Sequence, residues 1–408
     1  MMRRAFVGVL AQALWAFAGE NYAQWPRHLD IVVNTSATGA DLAESQRDFP
    51  LPIRLNAGNF DFTKAAPGGA DVRFSKPDGT RLPYEIERWD ALRGVAEIWV
   101  LADQIKGGGN TVLRMYYGKS NAADSSNGPA VFKTSAGFQG VFHMGATAGD
   151  TIRDVTANGF KGVPVNKGRK NPAPAEGAVG MANNFFGNNN DNSGGAYKLI
   201  TSSGGNTQDP GPLNFQNDSS TVNGLPAYTV SAWINIDVFP DGIDTRKGIV
   251  AKSAGKNGKQ YQLRMLDPAV NQIDNSLDTN RVEFADGPAA VYKNGTARLT
   301  AGAWFHVAAV RSGPVGVPGN LKVYVNGANP GLSTNNFNQT TQSPFDVYIG
   351  GLSDESGFFG GRIDEVVFAN TARDSSWLKL TYATQRPDAN CVTVGGPAAS
   401  KKAVKPKP

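Results

Sequence analysis

The chain has 408 residues, a formal net charge of +5 and one cysteine. This length predicts more than one domain, and the single cysteine excludes an intramolecular disulfide, so apolar cores must stabilise the fold. Removing residues 1–23 and the last eight residues leaves a body of zero net charge. That balance argues against the basic face that a nucleic-acid-binding protein needs.

Residues 1–23 have the pattern of a secretory signal peptide. Two arginines precede an uncharged stretch at residues 5–17, and residues 16–18 (AFA) fit a small-x-small cleavage site, with Ala23 as a second candidate. The stretch is shorter than the roughly 20 apolar residues of a membrane-spanning helix. A buried N-terminal helix is the alternative. We expect a secreted or periplasmic protein whose mature chain has no transmembrane segment.

A first β-rich unit is predicted over residues 24–122. Apolar residues alternate in short runs, as at Leu29, Ile31 and Val33, which is typical of strands with one buried face. The clearest further strands are predicted at residues 72–74, 82–89, 96–101 and 111–117. Residues 121–128 (NAADSSNG) are expected to be a linker.

A second unit is predicted over residues 130–388. Its expected strands are residues 137–144, 228–236, 248–252, 260–265, 281–284, 304–310, 321–325, 347–349 and 361–369, and residues 375–384 are the best candidate for a helix. The Asn- and Gly-rich residues 183–223 are either a surface insertion or a functional loop. The Gly-, Pro- and Lys-rich residues 389–408 are predicted to be a disordered tail.

Five segments of the second unit carry a family resemblance: residues 228–234 (YTVSAWI), 304–310 (WFHVAAV), 321–327 (LKVYVNG), 347–351 (VYIGG) and 358–368 (FFGGRIDEVVF). In this order they resemble the laminin-G-like, concanavalin A-like lectin/glucanase family. The resemblance implies a jelly-roll sandwich, and the alternating apolar residues agree with two packed antiparallel sheets. The predicted fold class is therefore all-β, with two β-sandwich domains, the second a concanavalin A-like jelly roll.

The first unit resembles an uncharacterised bacterial domain that often precedes such a lectin-like domain in exported proteins. The resemblance lies in residues 49–55 (FPLPIRL), 71–74 (DVRF), 82–87 (LPYEIE), 96–100 (AEIWV) and 115–118 (MYYG). In some relatives a proton-channel segment of the TolQ/MotA/ExbB type follows. Residues 401–408 (KKAVKPKP) are not such a segment, which argues against a direct role in energy transduction.

No catalytic motif is recognisable. The words Gly-x-Ser-x-Gly and His-Glu-x-x-His are absent. Glycoside hydrolysis needs two carboxylates across the scissile bond. Glu85 and Glu87 have a suitable spacing but lie in the first unit, whereas the adjacent Asp364 and Glu365 should point to opposite faces of a strand. Strand packing accounts for the three histidines, His28, His143 and His306.

A calcium site is suggested near the start of the second unit. Asp154, Asn158 and Gly159 match the Asp-x-x-x-Asn-Gly turn of lectin-like domains. The resemblance implies a calcium ion bound by Asp154, Asn158 and Asp364 with backbone carbonyls. The alternative is an Asx-turn without metal.

A ligand contact surface is predicted from aromatic and amide side chains. Phe358 and Phe359 lie in a glycine-flanked turn that we expect to be exposed, and Asn188, Asn189 and Asn190 could supply amides to sugar hydroxyls. The sequence therefore favours an exported, non-catalytic recognition or adhesion protein that binds a glycan or envelope polymer, with envelope proteins as further partners. The alternatives are a polysaccharide-cleaving enzyme and a purely structural envelope component.

Overall fold

The computed structural model describes residues 20–188, 193–200, 213, 227–240, 246–252, 261–266, 281–286, 289–292, 299–313, 317–328, 331–332 and 346–395. The first-unit strands are β1 (Arg27–Asn34), β2 (Gln46–Asn56), β3 (Arg73–Ser75), β4 (Arg81–Leu82), β5 (Tyr84–Asp90), β6 (Val95–Ile105) and β7 (Asn110–Tyr117). The second-unit strands are β8 (Phe138–Phe142), β9 (Ile152–Arg153), β10 (Lys161–Lys167), β11 (Ala173–Glu176), β12 (Met181–Phe186), β13 (Gly194–Ile200), β14 (Tyr228–Val238), β15 (Arg246–Lys252), β16 (Tyr261–Leu266), β17 (Arg281–Asp286), β18 (Ala289–Tyr292), β19 (Trp304–Arg311), β20 (Leu321–Val325), β21 (Gly331–Leu332), β22 (Tyr348–Ile349) and β23 (Gly360–Ala369). The remaining elements are helices α1 (Gly128–Val131) and α2 (Ser375–Gln385), strand β24 (Val392–Val394), and short 3-10 turns at Tyr22–Gln24, Phe62–Lys64, Pro67–Gly69 and Thr134–Ala136.

The first unit is a β-sandwich, as predicted. One sheet has the order β24-β1-β7-β3-β4 and the other the order β2-β6-β5. The alternating residues Ile31 and Val33 of β1 point into the core that the two sheets enclose, opposite Leu51 and Ile53 of β2. Burial of these apolar side chains is the main stabilising term of the sandwich.

The C-terminal strand corrects the prediction that residues 389–408 form a disordered tail. Val392 and Val394 lie in β24, which pairs antiparallel with β1 at the edge of the first sandwich. Both valines pack on the first core, and this apolar contact offsets the entropy of ordering the segment. Residues 396–408 lie outside the described residues. Their polar, Pro- and Lys-rich composition led us to predict a tail for the whole segment and to miss this strand.

The second unit is a larger β-sandwich of antiparallel sheets. In one sheet the order is β18-β17-β16-β15-β22-β13-β10-β9, and in the other it is β11-β12-β23-β14-β19-β20-β21, with β8 also paired to β23. The core between them contains rings such as Tyr197, Tyr228 and Phe284. The strands predicted for this unit are confirmed, with boundaries that differ by one to a few residues.

Helix α2 lies at the junction of the two units. Asp374 caps it by accepting a hydrogen bond from the backbone N–H of Trp377 at 2.6 Å. Leu380 belongs to the core of the first sandwich, whereas Leu378 packs on Ala308 and Tyr324 on the outer face of the second. The helix therefore contributes to both domains. Neither it nor any other helix within the described ranges has the length and apolarity to cross a bilayer.

Arg54 of β2 forms hydrogen bonds from the first domain to the C-terminal end of α2. Its guanidinium donates to the carbonyl oxygens of Thr384 at 3.0 Å and Gln385 at 2.5 Å, and to that of Ala178 in the second unit at 2.9 Å. The last carbonyls of a helix have no partners within the helix and carry its negative dipole end. A guanidinium from the other domain satisfies them here.

Candidate functional site

Phe358 and Phe359 are buried, so the prediction that they form an exposed contact surface is wrong. Their exposed fractions are 2% and 1%. Phe358 packs on Ala196 and Tyr348, and Phe359 belongs to the main core of the second sandwich. A Cβ at Gly194 would lie 2.3 Å from Phe358 Cβ, so this glycine leaves the space that Phe358 fills.

The Asn-rich segment is described only in part. Asn188 is half-buried, and its backbone carbonyl accepts a hydrogen bond from Lys247 Nζ. Asn189 and Asn190 lie outside the described residues. A ligand contact by these three amides stays a prediction.

The hydrogen bonds of Asp154 are those of an Asx-turn. One carboxylate oxygen accepts from the backbone N–H groups of Val141 at 3.0 Å and Thr156 at 2.8 Å. The other accepts from the Thr156 hydroxyl at 2.8 Å and the Phe160 N–H at 3.2 Å. Asn158 donates from its amide to the Gln139 carbonyl at 2.9 Å. Calcium binds through free oxygen lone pairs, and four donors already occupy those of Asp154.

Asp364 faces a different set of side chains. Its carboxylate accepts from the backbone N–H groups of Val179 at 3.0 Å and Glu365 at 2.9 Å. Burial, with Glu365 and Glu87 nearby, raises its pKa well above the usual range of an aspartate. The described contacts of Asp154 and Asp364 share no residue, and a calcium ion bound by Asp154, Asn158 and Asp364 stays a prediction.

A buried carboxylate–histidine cluster lies where the two domains meet. It consists of Glu85 and Glu87 of β5, His143 after β8, and Asp364 and Glu365 of β23. His143 Nδ1 lies 2.8 Å and 3.0 Å from the two carboxylate oxygens of Glu365 and 3.9 Å from Glu87 Oε2. On the other side of the ring, Nε2 lies 3.4 Å from Glu85 Oε2.

Two β-bulges bring these side chains together. The pairing of β5 with β6 shifts between Ile86 and Arg88, at Glu87, and the pairing of β23 with β14 shifts across Glu365. Glu365 has φ 48°, a left-handed conformation that is uncommon for a residue with a side chain. A bulge re-aims side chains relative to the regular alternation of a strand. The sequence had indicated that Asp364 and Glu365 point to opposite faces of the strand. Because of the bulge, they do not.

Aromatic rings pack against the cluster and reduce its exposure to solvent. Trp99 stacks on His143 with 5.3 Å between ring centroids, and its indole N–H donates to Glu87 at 2.8 Å. Phe132 packs edge-on against the same imidazole. Burial raises the pKa of Glu87 to about 8, an effect that His143 partly offsets. Burial opposes protonation of His143, but Glu365 and Glu85 raise its pKa well above the usual value.

The sequence contained one signal for this cluster, the Glu85-Ile-Glu87 spacing. It gave no indication that His143 and Glu365 would join it, because the convergence depends on the bulges and on domain docking. Within the described chain, Glu87, His143 and Glu365 form a group whose ligand atoms all lie within 4.8 Å of one another. Such a set of one imidazole and two carboxylates can hold a divalent metal ion.

An open cleft of 470 Å³ also lies at the junction of the domains, and we call it the seam cleft. Helix α2 forms one wall, with Lys379, Tyr382 and Arg386, while the β20–β21 turn contributes Asn326 and the chain before β24 contributes Asn390. Tyr382 stacks on Trp233 with 5.8 Å between ring centroids. This volume is within the range of small-molecule sites.

The comparison with protein families decides the class of the second unit. Residues 210–379 match the family model described as the concanavalin A-like lectin/glucanases superfamily. The second unit is a concanavalin A-like domain. The structure extends this domain towards the N-terminus, because β8 to β13 complete its two sheets. Residues 68–144 match a domain of unknown function, DUF2341, and this match includes Glu85, Glu87 and His143. No curated protein matches the chain.

Solved structures with a similar arrangement share little sequence with this chain. Domain 4 of AbnA, an extracellular arabinanase from Geobacillus stearothermophilus solved with arabinotriose, is 18% identical with a TM-score of 0.36, and the match covers 60% of this chain and 97% of that one. A putative carbohydrate-binding protein from Bacteroides ovatus is 15% identical with a TM-score of 0.32, covering 86% and 78%. The botulinum neurotoxin serotype C1 binding domain is 9% identical with a TM-score of 0.38, covering 62% and 52%.

Proposed function

We propose that this protein is exported, binds a saccharide or envelope polymer without cleaving it, and holds that ligand in the seam cleft. The observation that carries the proposal is this open 470 Å³ cleft beside a concanavalin A-like domain. The signal-peptide pattern of residues 1–23 supports export.

The lining of the seam cleft suits a polyhydroxylated ligand. Asn390 offers an amide donor and acceptor, and Asn326 offers an amide donor while its Oδ1 accepts from the His306 N–H. Lys379 and Arg386 are charged donors that also pair with Asp41 at 2.8 Å and Asp388 at 3.5 Å. Lys379 and Tyr382 lie on α2, Arg386 directly follows its last residue, and the Tyr382 ring stacks on Trp233. A rigid wall of this kind lowers the entropy cost of holding a ligand.

Burial of the carboxylate–histidine cluster supports binding rather than hydrolysis. Hydrolysis of a glycosidic bond needs two carboxylates on either side of a bound sugar. Glu85 and Glu365 are buried with exposed fractions of 9% and 3%, beneath Trp99 and Phe132. This burial leaves little carboxylate surface for a polysaccharide to contact.

A glycan-array screen of the full chain tests the proposal. We expect retention of at least one saccharide with a dissociation constant in the micromolar to millimolar range, or about −8 to −4 kcal/mol. The same saccharide is then incubated with the protein and assayed for new reducing ends. Binding without product supports the proposal, whereas product release would favour the enzyme alternative and a silent array would favour a structural role.

A further inference from the structure

The carboxylate–histidine cluster brings one imidazole and two carboxylates within 4.8 Å of one another. We propose that Glu87, His143 and Glu365 bind one divalent transition-metal cation of the zinc class, which joins the two domains. Glu87 belongs to the first sandwich, whereas His143 and Glu365 belong to the second.

The distances between the ligand atoms suit a shared cation. Two ligands about 2.1 Å from a metal at angles of 90–109° are separated by about 3.0–3.4 Å. His143 Nδ1 lies 3.0 Å from Glu365 Oε2 and 3.9 Å from Glu87 Oε2. All three ligand atoms lie within 4.8 Å of one another. Small side-chain rotations would bring them to a common distance from one ion.

The surroundings of the three ligands resemble those of established metal sites. A metal-bound histidine commonly donates its second ring N–H to a carboxylate, which fixes the tautomer. Here His143 Nε2 lies 3.4 Å from Glu85 Oε2, on the side away from Glu365. The Trp99 indole N–H donates a hydrogen bond of 2.8 Å to the Glu87 carboxylate and so fixes the orientation of that ligand. Glu85 and Trp99 are therefore positioning residues for the site.

Formal charge favours a dication at this position. Four carboxylates, those of Glu85, Glu87, Asp364 and Glu365, face the His143 imidazole and the Arg54 guanidinium. With all four carboxylates ionised and the imidazole charged, the carboxylates exceed the cationic groups by two. Unpaired buried charge is strongly destabilising, and a divalent cation offsets that excess.

A small cavity lies beside Glu365. Glu365 and Trp99 line this space of 40 Å³ between the domains, together with polar groups such as Ser231 and Gln385, whereas Glu87 and His143 are not part of its lining. A water molecule needs about 10–15 Å³ of such space and two or more polar partners. The mixture of imidazole and carboxylate ligands favours zinc, manganese or cobalt over calcium, which prefers oxygen ligands alone.

The test uses the full chain freed of metal by dialysis against EDTA and then titrated with ZnCl₂. We expect one zinc per chain by mass spectrometry of the desalted protein and a melting temperature that rises with zinc concentration. His143→Gln should lose the bound zinc, and Glu85→Gln should weaken binding about 10- to 100-fold. The exposed His28→Gln is the matched control and should bind as the wild type does.

A second measurement, with Co²⁺ in place of zinc, tests the proposal if His143→Gln does not fold. Co²⁺ bound to wild-type protein should give visible d–d absorption, which Glu87→Gln, a substitution of the same size, should shift or abolish. A desalted wild type without zinc, and with a melting temperature that zinc does not change, would overturn the proposal. Undiminished zinc in both His143→Gln and Glu87→Gln would also overturn it, because the ion would then lie elsewhere. Neither result bears on saccharide binding in the seam cleft.

Discussion

Replacing His306 with phenylalanine probes a buried, uncharged histidine in the outer layer of the second sandwich. The His306 side chain, on β19, lies beside Trp233 of β14 with 5.4 Å between the ring centroids. It is almost completely buried, and its Nδ1 has no hydrogen-bond partner among the residues that the structure describes. Burial alone lowers its pKa from 6.5 to about 3, because the charged imidazolium would lose its hydration there.

This shift makes the free energy of unfolding depend on pH in a known direction. The unfolded chain binds a proton at His306 below pH 6.5, whereas the folded chain stays neutral until about pH 3. Between pH 6.5 and about pH 3, protons therefore favour the unfolded state. The free energy of unfolding falls by about 1.4 kcal/mol for each unit by which the pH is lowered. Between pH 7.5 and 4.5 the loss from His306 alone should be about 2.7 kcal/mol.

Urea unfolding followed by tryptophan fluorescence at both pH values measures this loss. His306→Phe should lose about 2.7 kcal/mol less than the wild type over the same interval, and the exposed His28→Gln should behave as the wild type does. Since His306 has burial as its single cause of shift, its removal leaves the other titrating groups unchanged. Equal losses in the wild type and His306→Phe would refute the reasoning.

Three further predictions follow from individual contacts. Asp154→Ala should lower the free energy of unfolding by about 3 kcal/mol, because four donors lose their acceptor; an unchanged midpoint in urea unfolding would contradict this role of Asp154. Arg54→Lys should cost about 1.5–3 kcal/mol in urea unfolding by removing charged hydrogen bonds to α2, and an unchanged midpoint would show that these bonds contribute little. Intact mass of exported protein should show Gly19 as the first residue, because Glu20 pairs with Arg73 at 2.7 Å; a start at Met1 would contradict export.

Most of the fold was predictable because its strands carry a clear period of two. Residues 321–325 were predicted as a strand and form β20, and the predicted helix at residues 375–384 is α2 with one residue added. Ile31 and Val33, which alternate in the sequence, are fully buried in β1. Local alternation and turn residues determine such elements, so a single sequence is enough to find them.

The site was not predictable, because long-range packing builds it. Glu365 reaches His143 only through a bulge that breaks the regular alternation of β23, and a period of two cannot reveal a bulge. The burial of Phe358 depends on the open space above Gly194, which is far away in sequence. The seam cleft needs α2 to pack on both domains, and no local pattern encodes that packing.

Titration calorimetry in the seam cleft tests the central claim most directly. The saccharide identified on the array is titrated into the wild type, Arg386→Ala, and the control Arg153→Ala, which alters an exposed arginine on β9 far from the cleft in sequence. The account predicts that Arg386→Ala weakens binding at least tenfold, or about 1.4 kcal/mol, while Arg153→Ala binds as the wild type does. Equal affinity for all three proteins would contradict saccharide binding in the seam cleft.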